Sequence, residues 1–163
     1  MDKLSKKILS ILNEDARYSH KKIATMLGVD EKEVTLRINE LENKGVLVKY
    51  TTIVNADKLG EEHVIALIEV KVTPQQSHGF DAIAREIYKF DEVTSVYLMS
   101  GGYDIAVTVE GNNLREVAMF VSERLSVMEN VISTATHFIL KKYKSEGVIL
   151  DEEKDIKRIP VQA

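Results

Sequence analysis

The sequence predicts an α+β fold, and three observations carry that prediction. Residues 19–44 hold two short apolar helical stripes separated by Gly28-Val29. Beyond about residue 60 the apolar period changes from helical spacing to strand alternation. The elements after that change follow the order β-α-β-β-α-β, the split βαβ or ferredoxin-like pattern with an antiparallel sheet.

The first apolar stripe is Leu4, Ile8, Ile11 and Leu12, a helix that ends near Asp15-Ala16-Arg17. A second helix carries Ile23, Met26 and Leu27 inward, with Ala24 small where helices cross. Gly28 supplies a sharp corner, since it takes φ > 0 without penalty. Asp30 caps a third helix, with Glu33 at capping-box spacing. Val34, Ile38 and Leu41 repeat at i, i+4 and i+7 and face inward. Gly45 suits the position after that helix, and Val46, Val48 and Tyr50 alternate as a short strand, a wing. Asn55 to Gly60 reads as a turn and hinge, placing the boundary of a winged helix–turn–helix domain at 1–60.

In the second domain, 61–144, HVIALIEVKV is a strand stopped by Thr73-Pro74. Ser77 to Tyr88 is a helix with Phe80, Ile83, Ala84 and Ile87 inward. VTSVYLM and DIAVTVE form a hairpin across Ser100-Gly101-Gly102-Tyr103. Asn112 or Asn113 caps a helix carrying Leu114, Val117, Ala118, Val121 and Leu125, and VISTATHFILKKY is the last strand. Helices cover one sheet face only. Ile65, Leu67, Tyr97, Met99 and Phe138 make the other apolar enough to pair with a second copy. The tail, 145–163, opens with a short strand at Val148-Ile149-Leu150 and continues as a mixed-charge run with a frayed end.

Composition narrows the chemistry. The chain of 163 residues is long enough for two small domains. It has no cysteine, which excludes disulfides, thiolate zinc sites and cysteine nucleophiles and fits a reducing cytoplasm. Its apolar runs are too short to span a membrane, and its N-terminus reads as a helix rather than a signal peptide. The net charge of −4 hides a division: residues 1–60 carry 11 Lys+Arg against 9 Asp+Glu, +2, and the remainder −6. The positive excess sits with the helix–turn–helix. It is small, so useful affinity for double-stranded DNA needs at least a dimer.

Two tightly joined helices, the second well capped, are the geometry that lays a recognition helix in a major groove. With Val34, Ile38 and Leu41 inward, Lys32, Thr35, Leu36, Asn39 and Asn43 take the outer side. Asn39 suits a bidentate pair with adenine, and Leu36 or the Thr35 methyl suits a thymine methyl. Arg37 at the flank suits a phosphate. Ser19, His20, Lys21 and Lys22 start the preceding helix, where free N–H groups also favour phosphate. Glu31 and Glu33 complement the dipole of the third helix.

The SGGYD turn admits two readings. It is a plain glycine hairpin turn, or Gly101 and Gly102 curl the backbone into a nest that holds a carboxylate while Asp104 accepts from an ammonium group. In the second reading the pair grips the zwitterionic end of an amino acid, and Leu98 and Met99 line the side-chain part.

A winged helix–turn–helix followed by β-α-β-β-α-β resembles the leucine-responsive/AsnC (Lrp/AsnC, feast/famine) class of transcription regulators. The segments that carry the likeness are LSKKILSILNEDAR, IATMLGVDEKEVTLRINELENKGVLVKYTTIVNADKLG, SGGYDIAVTVEG and VISTATHFILKKYK, over about residues 2–144. The resemblance implies a DNA-binding head and a ligand-sensing, oligomerising RAM/ACT-like domain. It implies homodimers that assemble into tetramers or octamers, and an amino acid or related small metabolite as effector. In that class the hairpin of Ser100, Gly101, Gly102, Tyr103 and Asp104 lies at a dimer–dimer contact facing a neighbour's last strand. Thr134 and Thr136 match that strand's hydroxyl positions. Glu31 and Glu33 stand where the class more often has serine, threonine or arginine, and Ser133 where many members carry arginine.

Enzyme chemistry has little support. His20, His63, His78 and His137 sit on separate elements without ligand spacing, so no metal or cofactor is expected, and no GxSxG, Walker or GxGxxG motif occurs. The rival from another class is a sirohaem decarboxylase, which shares the two-domain outline and needs basic residues converging on a tetrapyrrole. An RNA-recognition module shares the strand order, but YDIAVTVE lacks the glycine–aromatic pattern of its central strands.

Overall fold

The computed structural model describes residues 1–60, 63–74 and 79–151. The chain divides into two compact units between Ile53 and Val54, seven residues before the boundary read from the sequence. The hinge residues belong with the second unit: the Asn55 side-chain amide donates to the Leu150 carbonyl at 2.9 Å, and Ala56–Lys58 form one 3-10 turn.

The first unit is α1 (Lys3–Glu14), α2 (His20–Leu27) and α3 (Glu31–Asn43). Each helix has a side-chain N-cap, since Asp2, Ser19 and Asp30 accept from the N–H of Ser5, Lys22 and Lys32. Ile8, Leu12, Ile23, Ala24, Val34 and Ile38 close into one buried cluster. Met26 is 48% exposed, against expectation. Ile23, Ala24 and Leu27 take the inner side, and Met26 lies roughly 100° round the helix from their mean direction. Gly28 ends α2 at φ 67°, in the left-handed region that permits the corner. The capping box is half formed. Asp30 caps, but the Glu33 carboxylate lies 3.8 Å from the Arg37 guanidinium one turn on.

The wing strand at 46–50 is absent from the described chain. α3 ends instead in a Schellman arrangement: Gly45 N–H reaches the Glu42 carbonyl, and the Val46 and Leu47 N–H groups both reach the Leu41 carbonyl. Those donors are spent on the helix end, and no described strand lies beside 46–50 to complete a ladder. The Tyr50 hydroxyl donates to Glu42 at 2.9 Å. Burial, then that bond, pushes the phenol up to about 12.

The second unit has the expected order: β1 (Val64–Val72), α4 (Asp81–Ile87), β2 (Val93–Leu98), β3 (Ile105–Gly111), α5 (Leu114–Phe120) and β4 (Val131–Ile139). The four strands form an antiparallel sheet in the order β2-β3-β1-β4. Ala66, Ile68, Val70 and Val72 alternate inward and pack with Ile105, Val107, Val109, Ile83, Ile87, Val117, Phe120 and Leu125. α4 starts at Asp81, after Phe80 as its N-cap residue; Ser77 and His78 lie outside the described residues. Asn113 caps α5 by accepting from Glu116 N–H at 2.9 Å.

Leu114 and Ala118, expected inward, are exposed, and Phe120 is buried in their place. The chain widens into a π turn at Val121–Leu125, which shifts the inward register after Phe120. Phe138 is a further correction. It pairs with Ala66, which is fully buried under the helices, so it shares the helical face and not the open one. Ile65 and Leu67 point to the open face, with Tyr97 across β3 from Glu69. The strand expected at 148–150 is β6 (Val148–Ile149), paired with β5 (Lys144–Ser145) as a small hairpin. The mixed-charge run after Asp151 lies outside the described residues.

Candidate functional site

The outer face of α3 follows from its inner one. Val34, Ile38 and Leu41 are buried, so Lys32, Leu36, Asn39 and Asn43 are exposed, Leu36 at 57%. An apolar side chain that open, in a helix capped at both ends, is unused by the fold. Thr35 is half-buried: its hydroxyl donates to the Glu31 carbonyl at 3.0 Å and lies 2.9 Å from His20 Nδ1. His20 thereby joins the first turn of α2 to the outer face of α3. Ser19 is committed to capping α2, while Lys21 and Lys22 are exposed beside it.

Arg37, expected at a phosphate, is paired with carboxylates of its own chain. Its guanidinium lies within 4 Å of three carboxylates, Asp2 at 3.4 Å, Glu40 at 3.6 Å and Glu33 at 3.8 Å. It ties α3 to the start of α1. Asp2 in turn is held below the usual carboxylate range, chiefly by the Ser5 N–H and also by Arg37. No feature of the spacing announced the His20–Thr35 bond, because the partners are fifteen residues apart on different helices.

At the far end of the sheet domain, Met99 to Asp104 connect β2 and β3. Gly101 and Gly102 do not adopt positive φ, so the alternating backbone of an anion nest is not formed. A Cβ at either glycine would meet nothing within 4 Å, so the turn is open to whatever approaches it. Asp104 has a structural bond as well: one carboxylate oxygen accepts from Val72 N–H at 2.9 Å, where β1 breaks register with β4. Its backbone N–H and C=O engage Val70 and Met99. The second carboxylate oxygen has no partner among the described residues. Leu98 is 63% exposed and Met99 39%, with Ser100 exposed and Tyr103 half-buried beside them.

Thr134 and Thr136 are not brought to this turn within one chain. Thr134 pairs with Val70, which pairs with Ile105, which pairs with Leu98, so three strand spacings, about 14 Å, separate them. Thr134 bonds Ser126 at 3.1 Å. Only a second subunit can set these hydroxyls against the turn.

Two family models match this chain in the same order. The AsnC-type helix-turn-helix domain covers residues 1–42, and the Lrp/AsnC ligand binding domain covers 65–149. An uncharacterized HTH-type transcriptional regulator of Bacillus subtilis (strain 168), YugG, is 48% identical over 94% of this chain and 93% of its own. The chain belongs to the Lrp/AsnC family. A further HTH-type regulator, from Pyrococcus furiosus, is 33% identical over 90% of this chain and 96% of its own.

Among solved Lrp/AsnC folds, the leucine response regulatory protein of Mycobacterium tuberculosis superposes with a TM-score of 0.76 at 24% identity, covering 93% of this chain and all of its own. A Neisseria meningitidis transcriptional regulator in complex with L-Met gives 0.71 at 22%, covering 89% and 93%. The protein is a transcriptional regulator of this family, with a helix–turn–helix DNA-binding unit and a ligand-binding domain.

One cavity stands apart from both sites. A cleft of about 620 Å³ runs beside α5, lined by Asp91, Glu92, Glu110, Glu123 and Arg124 over Phe120, at the end of β3 away from the turn. His137 lies 3.4 Å from Glu69 on the open sheet face, and His63 lines the cleft. Among the described residues no three histidines or carboxylates gather as a metal site, and none of these features favours a decarboxylase. No described helix is long and apolar enough to cross a membrane.

Proposed function

We propose that this regulator reads a pseudo-palindromic site in double-stranded DNA through α3, in the cytoplasm and without catalytic activity, and answers to an amino acid at the SGGYD turn. The observation that carries the reading is the outer face of α3, where Lys32, Leu36 and Asn39 stand exposed opposite a fully packed inner face. Lys21 and Lys22 serve phosphates, and Asn39 and Leu36 serve base edges. The expected phosphate contact by Arg37 is given up, because three carboxylates already hold it.

For the effector, the proposal joins Leu98, Met99, Ser100, Gly101, Gly102, Tyr103 and Asp104 of one subunit to Thr134 and Thr136 of another. The open turn and the unpaired oxygen of Asp104 support it, and so does the L-Met complex of the Neisseria regulator, which shares the fold. Homodimers associating into tetramers or octamers supply the second subunit. Effector binding at such a contact favours one assembly over another and moves the DNA heads relative to their half-sites.

The DNA arm is tested on a duplex selected from a random pool by the full chain. Asn39→Ala and Leu36→Ala each lower discrimination against random DNA by about 1–3 kcal/mol, while Lys22→Ala weakens both DNAs and flattens the salt dependence. Unchanged discrimination in both recognition-helix variants would misplace the reading face. The effector arm uses Asp104→Asn, whose amide oxygen still accepts from Val72 N–H but carries no charge. The unliganded melting temperature holds, and the rise caused by an amino acid is lost. A normal rise removes Asp104 from the site.

A further inference from the structure

The link between His20 and Thr35 decides what α3 shows to DNA at that point. A threonine hydroxyl has one proton. In Thr35 it is donated to the Glu31 carbonyl at 3.0 Å, so the hydroxyl accepts from His20 at 2.9 Å and Nδ1 carries a proton. Held between a helix carbonyl and an imidazole, the hydroxyl is turned to the protein, and the methyl is the group left for a ligand. Leu36, the next residue and 57% exposed, extends that apolar spot.

We propose that His20 is a positioning residue for sequence reading: it fixes Thr35 so that its methyl, beside Leu36, selects a thymine methyl at one step of each half-site. This rests on the reading that α3 enters the major groove. It also gives the Nδ1 donor of His20 a partner within the protein, so that nitrogen is not available to a phosphate.

The test uses the full chain and the duplex it selects from a random pool, with each thymine replaced singly by deoxyuridine, which removes only the methyl. Affinities are read by fluorescence anisotropy. In the wild type, one position per half-site loses about three- to fivefold on replacement, the worth of one buried methyl. His20→Ala binds the thymine and uracil duplexes equally, with its affinity for random DNA and its salt slope unchanged. Thr35→Ser, which keeps the hydroxyl and loses the methyl, behaves the same, and the double variant is no worse than either. His20→Asn, whose amide N–H stands where Nδ1 stood, restores the thymine preference.

Three results overturn the proposal. They are a wild type indifferent to every uracil, a His20→Ala protein that keeps the preference, and a His20→Ala protein that loses affinity on all DNAs with a shallower salt slope, which marks a phosphate contact. Failure to select any sequence, or unchanged discrimination in Asn39→Ala and Leu36→Ala, strikes the parent reading instead.

Discussion

Several side chains in this protein serve the fold where their surroundings first point to a ligand. Arg37 stands at the flank of a recognition helix, yet Asp2, Glu33 and Glu40 surround it, so it braces α1 against α3. Asp104 follows the turn proposed to take an effector, yet one of its oxygens closes the end of β1. Asp15 shows the same economy at the end of α1. Its carboxylate takes two bonds from the Arg17 side chain and one from its N–H, and these, the side-chain bonds first, hold it at about 2. The folded value lies below the unfolded one, near 3.9, so its contribution is complete above about pH 4 and is lost as pH falls toward 2. Melting temperatures of the wild type and Asp15→Asn therefore differ at pH 5 and converge by pH 2. A gap that stays constant over that range would show that the Arg17 pairing does not contribute.

Local signals in the elements carried much of the fold. The three helices are legible because their inner stripes are regular and Asp30, Gly28 and Gly45 mark ends, whereas the caps Asp2 and Ser19 emerge only from the structure. Gly45 sits at φ 64°, so Gly45→Ala should cost about 1 kcal/mol and lower the melting temperature without altering the helical circular dichroism. An unchanged melting point would mean that the Schellman end is not formed in solution.

What was not legible depended on partners distant in sequence. The wing failed because alternation at Val46, Val48 and Tyr50 says nothing about whether a neighbour strand exists. Alternation alone does not tell which face Phe138 takes, because that depends on its register with Ala66. The π turn at Val121–Leu125 shifts the inward register after Phe120, and a 3.6-residue period cannot anticipate it. At the candidate site, exposure of Leu36 and Asn39 followed from periodicity alone, whereas the ties of Thr35 and Arg37 required the packed helices.

For the whole molecule, two compact units divide the labour of reading DNA and sensing a ligand, and the second has a sheet with one uncovered face. Leu67 is half-buried there, Ile65 shares a small cavity with Val54, Ala56 and Leu150, and Tyr97 is 58% exposed. If that face joins two copies, the full chain sediments as a dimer or larger, and Leu67→Glu, which buries an unpaired charge in the contact, reduces the assembly to monomers. A Leu67→Glu protein that keeps its native assembly would place the contact elsewhere. Assembly also bears on affinity, since the +2 balance of residues 1–60 is too small for one head to hold DNA well.

The central claim is that a small molecule bound by the sheet domain changes how the helical domain holds DNA. Binding isotherms of the full chain on its selected duplex, taken with and without each of the twenty amino acids, test it most directly. At least one amino acid should shift the apparent affinity, and by linkage the duplex should shift the affinity for that amino acid by the same factor. Twenty superimposable isotherms would contradict amino-acid sensing by this chain.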